Sequence, residues 1–208
     1  ILFLLFALSF VALADEVHEK STTQLDEEIL RTINSYATTG ADTVFLWLTH
    51  LGGALFLAVI TTFICVVLWR KGSTAKAMVL GASVLGATLI NLVVKQLFER
   101  SRPDLWTQLV NEHSFSFPSG HAMASSALTF GLIAITWNSK YRWLVVTLGG
   151  LYTLVVGFSR LYLGVHYPTD VLGGWLLSAT WVSVVWLLWK TRKQNTPTLG
   201  KGIAKPKQ

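Results

Sequence analysis

Eight residues in three short strings have types and spacings that suit one chemistry. The first string runs from Lys95 to Pro103 and sets six residues between Lys95 and Arg102. The second is Phe117-Pro118-Ser119-Gly120-His121, directly ahead of an apolar stretch. The third runs from Ser159-Arg160 to His166 and Asp170. Lys95, Arg102 and Arg160 are three cations that call for an anion. Arginine meets phosphate through a planar fork, and lysine acts as a point charge. Pro118 fixes the approach to the next helix, and Gly120 permits close backbone contact. The N–H groups that follow Ser119 and Gly120 at a helix start suit a phosphate oxygen. Two histidines match the proton-transfer and nucleophile roles of phosphoryl transfer. Asp170, four residues beyond His166, can fix the ring tautomer of that histidine. A divalent metal on two His and one Asp is the competing reading, but three nearby cations would repel it. His50 and His113 are left as structural or surface residues, and Glu99 and Glu112 could balance local charge; none of the four is assigned a role.

These strings have to be held by something, and the composition says what. Of 208 residues, 52% are hydrophobic and 13% are Asp, Glu, Lys or Arg, with a mean hydropathy of +0.51. Soluble domains carry about 25% charged residues, so the pattern excludes a disordered chain and a soluble globule. The single cysteine, Cys65, excludes a disulfide framework and a cysteine zinc site. Stretches near the ~20 residues that cross a bilayer occur at Val44–Leu68, Ala77–Val94, Ala122–Trp137, Trp143–Phe158 and Val171–Trp189. A shorter one, Ile1–Ala14, reads as part of a first span or as a signal-peptide core, since Ala12-Leu13-Ala14 resembles a cleavage site. The expectation is an all-α polytopic membrane protein of six transmembrane helices in a single domain, residues 1–208.

The charges orient it. Numbered alternately, one side holds Arg70, Lys71, Lys76, Lys140, Arg142, Lys190, Arg192, Lys193, Lys201, Lys205 and Lys207, with no acid. The other side holds all eleven acids and all five histidines. Positive residues stay inside, so the first side is cytoplasmic and the three strings face outward. Trp47, Trp69, Trp106, Trp137, Trp143 and Trp189 sit near span ends as an interfacial belt. The net charge of +6 thus reads as topology, and no nucleic-acid partner is expected. Residues 15–42 read as an outer connector, with Leu25, Ile29 and Ile33 at the spacing of a short amphipathic helix. Residues 194–208 read as a disordered cytoplasmic tail.

The joint pattern resembles the type 2 phosphatidic acid phosphatase family. Every position of its three-part signature is filled: Lys95, Arg102 and Pro103; Pro118, Ser119, Gly120 and His121; Ser159, Arg160, His166 and Asp170. The resemblance spans Lys95–Asp170, and the hydropathy is similar to the six-span membrane branch. It implies a lipid phosphate phosphatase of a bacterial inner membrane, working on the periplasmic face. His166 would be the nucleophile that forms a phosphohistidine, oriented by Asp170. His121 would protonate the leaving oxygen and then activate water. Lys95, Arg102, Arg160, Ser119 and Gly120 would hold the phosphoryl oxygens, with no metal or other cofactor. Phosphatidylglycerol phosphate, phosphatidic acid and undecaprenyl pyrophosphate are the substrates it suggests. A membrane lipid phosphotransferase and an anion transporter remain as alternatives.

Overall fold

The computed structural model describes residues 2–195, and the part of the proposed tail from residue 196 onward lies outside them. In chain order the helices are α1 (Leu2–His18), α2 (Thr23–Asn34), α3 (Thr39–His50), α4 (Ala54–Arg70), α5 (Thr74–Phe98), α6 (Gly120–Thr136), α7 (Arg142–Tyr162) and α8 (Pro168–Asn195). Among the described residues there is no strand. Gln194 and Asn195, assigned to the tail, continue α8.

α6 is the centre of the bundle and packs against α5, α7 and α8. Its buried positions include Ala122, Ser125, Ser126, Ala127 and Gly131. Small residues let helix axes approach closely where lipid supplies no hydrophobic drive. Their hydroxyls are satisfied within the helix, as Ser126 Oγ donates to the Ala122 carbonyl at 2.7 Å. A leucine row on α7, Leu144, Leu148, Leu151 and Leu154, faces outward and is more than half exposed. An apolar ridge at helical spacing with no protein cover is what a bilayer solvates. The chain is an integral membrane protein.

Among the described residues three helices are long and apolar enough to cross a membrane: Thr74–Phe98, Arg142–Tyr162 and Pro168–Thr191. A fourth span arises if Thr39–His50 and Ala54–Arg70 count together, although they bend by 46°. The apolar helix α6 is shorter, at 17 residues.

Two expectations are corrected. Val44–Leu68 is not one unbroken helix, because Leu51–Gly53 interrupts it between α3 and α4. The break falls at the Gly52-Gly53 pair, a poor helix former, where a Cβ on Gly52 would lie 2.4 Å from Val156 Cγ1 and 3.1 Å from His121 Cδ2. Residues 15–42 are not a mere connector. α1 runs on to His18, and the predicted helix exists as α2, but with a different buried face. Leu25 is 61% exposed, whereas Asp26 and Leu30 are buried. Asp26 is inward because an arginine partner waits for it, which an apolar periodicity cannot report.

Candidate active site

The C-terminal ends of α5 and α7 and the N-terminal ends of α6 and α8 meet at one end of the bundle. Each local sequence explains its own end. α5 stops at Glu99, which takes a left-handed φ of +46°, and leaves Lys95 in the last turn. α7 ends in a Schellman turn in which Val165 N–H donates to Arg160 O at 3.2 Å and Gly164 N–H to Leu161 O at 3.0 Å. Gly164 has φ +67°, the left-handed conformation that glycine takes without strain. That turn delivers His166 just beyond the helix. α8 opens on Pro168, a favoured first helical residue. Asp170 in its first turn accepts from Tyr167 N–H at 2.8 Å, like the acidic half of a capping box. Ser119 caps α6 by accepting from Ala122 N–H at 3.5 Å, and its own N–H donates to Asp170 O at 3.0 Å.

The structure brings together all eight residues singled out in the sequence. Lys95, Arg102, Gly120, His121 and His166 line one cavity of about 940 Å³. Beyond this polar end it continues between α4 and α5 past Leu57, Thr61, Val66, Leu85 and Leu92 as far as Trp69 and Met78. Ser119, Arg160 and Asp170 are almost wholly buried.

His166 is 1% exposed. Its Nδ1 lies 3.3 Å from Asp170 Oδ2, and its Nε2 lies 3.1 Å from Arg102 Nη1. A guanidinium only donates, so Nε2 carries the lone pair and Nδ1 carries the proton toward Asp170. Burial lowers the imidazole pKa well below its ordinary value, and the charges of Arg102, Arg160 and Lys95 add to that effect. A neutral ring with Nε2 free of a proton is the nucleophilic form.

Arg102 also donates from Nε to Ser114 O at 2.8 Å and from Nη1 to Val165 O at 2.7 Å. Lys95 Nζ donates to Phe115 O and lies 3.4 Å from Ser114 Oγ. Arg160 donates from Nη1 to Thr49 Oγ1 at 2.6 Å and from Nη2 to Glu112. Among the described residues its buried Nε has no hydrogen-bond partner. Gly120 backs onto Asn91, whose Nδ2 donates to Pro118 O at 3.0 Å.

The sequence reading missed five participants. Glu112, given no role, pairs with Arg160 and lies 3.6 Å from Arg102. Burial would raise its carboxyl pKa, but the two guanidinium groups outweigh that and hold it below the ordinary value. Ser116 Oγ donates to Asp170 Oδ2 and lies 3.4 Å from His166 Nδ1. Arg100 donates to Asp170 Oδ1 at 2.7 Å and to Asp26 Oδ2 at 2.9 Å. Thr49 supports Arg160 from α3. None of these five carries a local periodic signal, because each has a hydrogen-bond partner 48 or more residues away.

Known proteins share the sequence and the fold of this chain. The sequence model of the PAP2 superfamily matches residues 76–194. A phosphatidylglycerophosphatase B of Bacillus subtilis is 37% identical over 179 residues, which cover 82% of this chain and 86% of that protein. An undecaprenyl-diphosphatase of the same organism is 28% identical, over 72% of this chain and 76% of its own. The crystal structure of a transmembrane PAP2-type phosphatidylglycerolphosphate phosphatase from Bacillus subtilis superposes with a TM-score of 0.83. It shares 29% identity, over 96% of this chain and 99% of that one. A family match across more than half the chain, on the helices that carry the buried His–Asp pair, shows that this protein belongs to the PAP2 superfamily.

Proposed function

We propose that this membrane phosphatase removes phosphate from a lipid monoester or diphosphate, through a phosphohistidine at His166. The observation that carries the reading is the polarity of the cavity. A histidine oriented by a buried aspartate, with its lone pair beside a guanidinium, stands at the end of a groove whose far wall is apolar helix. A headgroup at the polar end and acyl or prenyl chains along α4 and α5 would satisfy both ends.

The reaction divides into two steps. His166 Nε2 attacks phosphorus as the bond to the lipid oxygen breaks, and His121 gives its proton to that oxygen. His121 then takes a proton from water as the water oxygen attacks phosphorus and the P–N bond breaks. Phosphate leaves and His166 regains its lone pair. Asp170 holds the ring and offsets the positive charge it gains. Arg102, Arg160 and Lys95 stabilise the equatorial oxygens, where most of the catalytic work of phosphoryl transfer lies. The orphan Nε of Arg160 supports that role, because a buried donor without a partner costs ~1–3 kcal/mol that a phosphoryl oxygen would recover. Ser119 and the Gly120 N–H, at the start of α6, bind a further oxygen. Cations already supply the charge stabilisation, so the residues present call for no metal.

Phosphatidylglycerol phosphate and undecaprenyl pyrophosphate are the substrates proposed, by analogy with the Bacillus relatives, and phosphatidic acid shares their headgroup chemistry. The charge asymmetry of the sequence supports six spans in a bacterial inner membrane, with the site on the periplasmic side.

The test is phosphate release by the purified protein in detergent from these three lipids, with excess EDTA and no acceptor lipid. Release that survives EDTA is expected. No loss of phosphate from any of them, or loss only with a second lipid present and the phosphoryl group found on that lipid, would replace this reading with a transporter or a phosphotransferase. Loss in EDTA restored by magnesium would overturn the metal-free chemistry.

A further inference from the structure

Arg100 lies within the first string but at none of its signature positions, yet it is the hub of a buried network behind the reactive histidine. Its Nη1 donates to Asp170 Oδ1 and to Thr169 Oγ1, each at 2.7 Å. Its Nη2 donates to Asp26 Oδ2 at 2.9 Å. Its Cζ lies 4.1 Å from the centre of the Tyr167 ring. Asp26, on α2, is 1% exposed and also accepts from Thr169 N–H at 3.1 Å and Thr169 Oγ1 at 2.5 Å. The guanidinium is thus shared between two buried carboxylates, one of which holds His166.

Two consequences follow from charge and geometry. Asp170 Oδ2 is already engaged by Ser116, Tyr167 N–H and His166 Nδ1, while Arg100 holds Oδ1. The plane of the carboxylate is therefore set from both sides. One cation between two carboxylates also leaves a net charge of −1. Without Asp26 the cluster would be neutral, since Arg100 would cancel Asp170. The extra carboxylate preserves the negative field at His166 Nδ1 just as attack by Nε2 makes the ring cationic. A buried ion cluster is weak evidence for stability by itself, so its site beside the reacting residue is what needs explaining.

We propose that Asp26 and Arg100 are positioning residues of the His166–Asp170 pair, and that α2 takes part in catalysis by supplying Asp26. The inference rests on the phosphatase reading and on His166 as its nucleophile. Asp26 lies outside residues 76–194, the segment matched to the PAP2 superfamily.

The experiment uses the full purified chain with phosphatidylglycerol phosphate and with p-nitrophenyl phosphate. Asp26→Asn should lower kcat by about 10–100-fold, as losing the outer partner of an oriented histidine does elsewhere, with KM little changed. The loss should be equal for both substrates, because Asp26 acts through the nucleophile that both share and does not touch the leaving group. In an Asp170→Asn background Asp26→Asn should cost little more, since its route to His166 is gone. Arg100→Lys should not restore kcat, because a single ammonium cannot bridge both carboxylates. Thr169→Val keeps every charge and removes one bridge, so it should lower kcat in the same direction, and it decides the matter if Asp26→Asn fails to fold. A kcat within twofold of wild type, a change in KM alone, or full additivity with Asp170→Asn would overturn the proposal. An inactive wild type in the same assay would instead sink the phosphatase reading.

Discussion

Arg102 Nη1 stands 3.1 Å from His166 Nε2, so a group that can only donate fixes which nitrogen of the ring is free. The same guanidinium, with Arg160 and Lys95 and with burial as the larger cause, lowers the pKa of His166 well below the usual histidine value. The nucleophile therefore stays unprotonated as pH falls through ~6.5, the ordinary histidine pKa. An acid limb of kcat/KM near that value should not belong to His166. Stability follows the other sign. Below ~6.5 the unfolded histidine binds a proton that the folded one refuses, so stability falls toward acid pH. Melting of wild type and His166→Gln between pH 7.5 and 5 checks this. The wild type should lose more of its melting temperature over that range, and equal losses would contradict the buried neutral ring.

The two histidines should separate by leaving group. His166→Ala should abolish turnover of every substrate and leave no acid-labile phosphoenzyme. His121→Ala should lose about 10²–10⁴-fold on a lipid alkoxide, the range for general acid help, and less on p-nitrophenyl phosphate, whose leaving group needs little proton. Asp170→Asn should slow both substrates alike. Turnover of each variant, with melting followed in parallel, checks the set. Equal losses for His121→Ala on both substrates, with the leaving-group difference kept in His166→Ala, would reverse the assignment.

Glu112 pairs with Arg160, whose side chain is 2% exposed. Removing one partner of a buried pair costs about 3–5 kcal/mol, and the partial exposure of Glu112, at 25%, puts this case at the lower end. Glu112→Gln should therefore melt earlier. Because Arg160 and Arg102 then lack that carboxylate, orthovanadate and inorganic phosphate should raise the melting temperature more than they do in wild type. Ligand shifts measured for both proteins at one concentration check this, and a smaller shift in the variant would place the anion elsewhere.

The outward orientation has its own check. A cysteine at Asp104, placed in a Cys65→Ser background, should react with an impermeant thiol reagent added to intact cells. One at Lys140 should react only after the cells are opened. The opposite labelling would turn the site to the cytoplasm.

The eight residues that the fold brings together stood out in the sequence because phosphate chemistry restricts residue type and because the strings sit next to apolar runs. Hydropathy gave away the membrane, and the centres of α5, α6, α7 and α8 lie where the apolar stretches put them. The break at Leu51–Gly53 was not legible from hydropathy. Gly52 and Gly53 are apolar enough to sit in a span, and hydropathy does not register their poor helix propensity or that a Cβ on Gly52 would meet Val156 and His121 across the bundle.

What the sequence by itself determined is thus local: which segments are helical and apolar, where Gly164 turns the chain, and which residues suit a phosphoryl group. Only the tertiary structure decided which charges meet. Lys95, Arg102 and Arg160 looked like cations short of acids, and folding gave Arg160 and Arg102 a carboxylate from Glu112. Arg100 carried no assigned role, and folding set it between Asp26 and Asp170. Leu25 looked like the inner face of α2, and Asp26 took that place. The physical reason is the same in each case. Apolar burial is non-directional and leaves a periodic trace in the sequence. A buried ion pair is a directed contact between two specific atoms, here up to 74 residues apart, and it leaves no such trace.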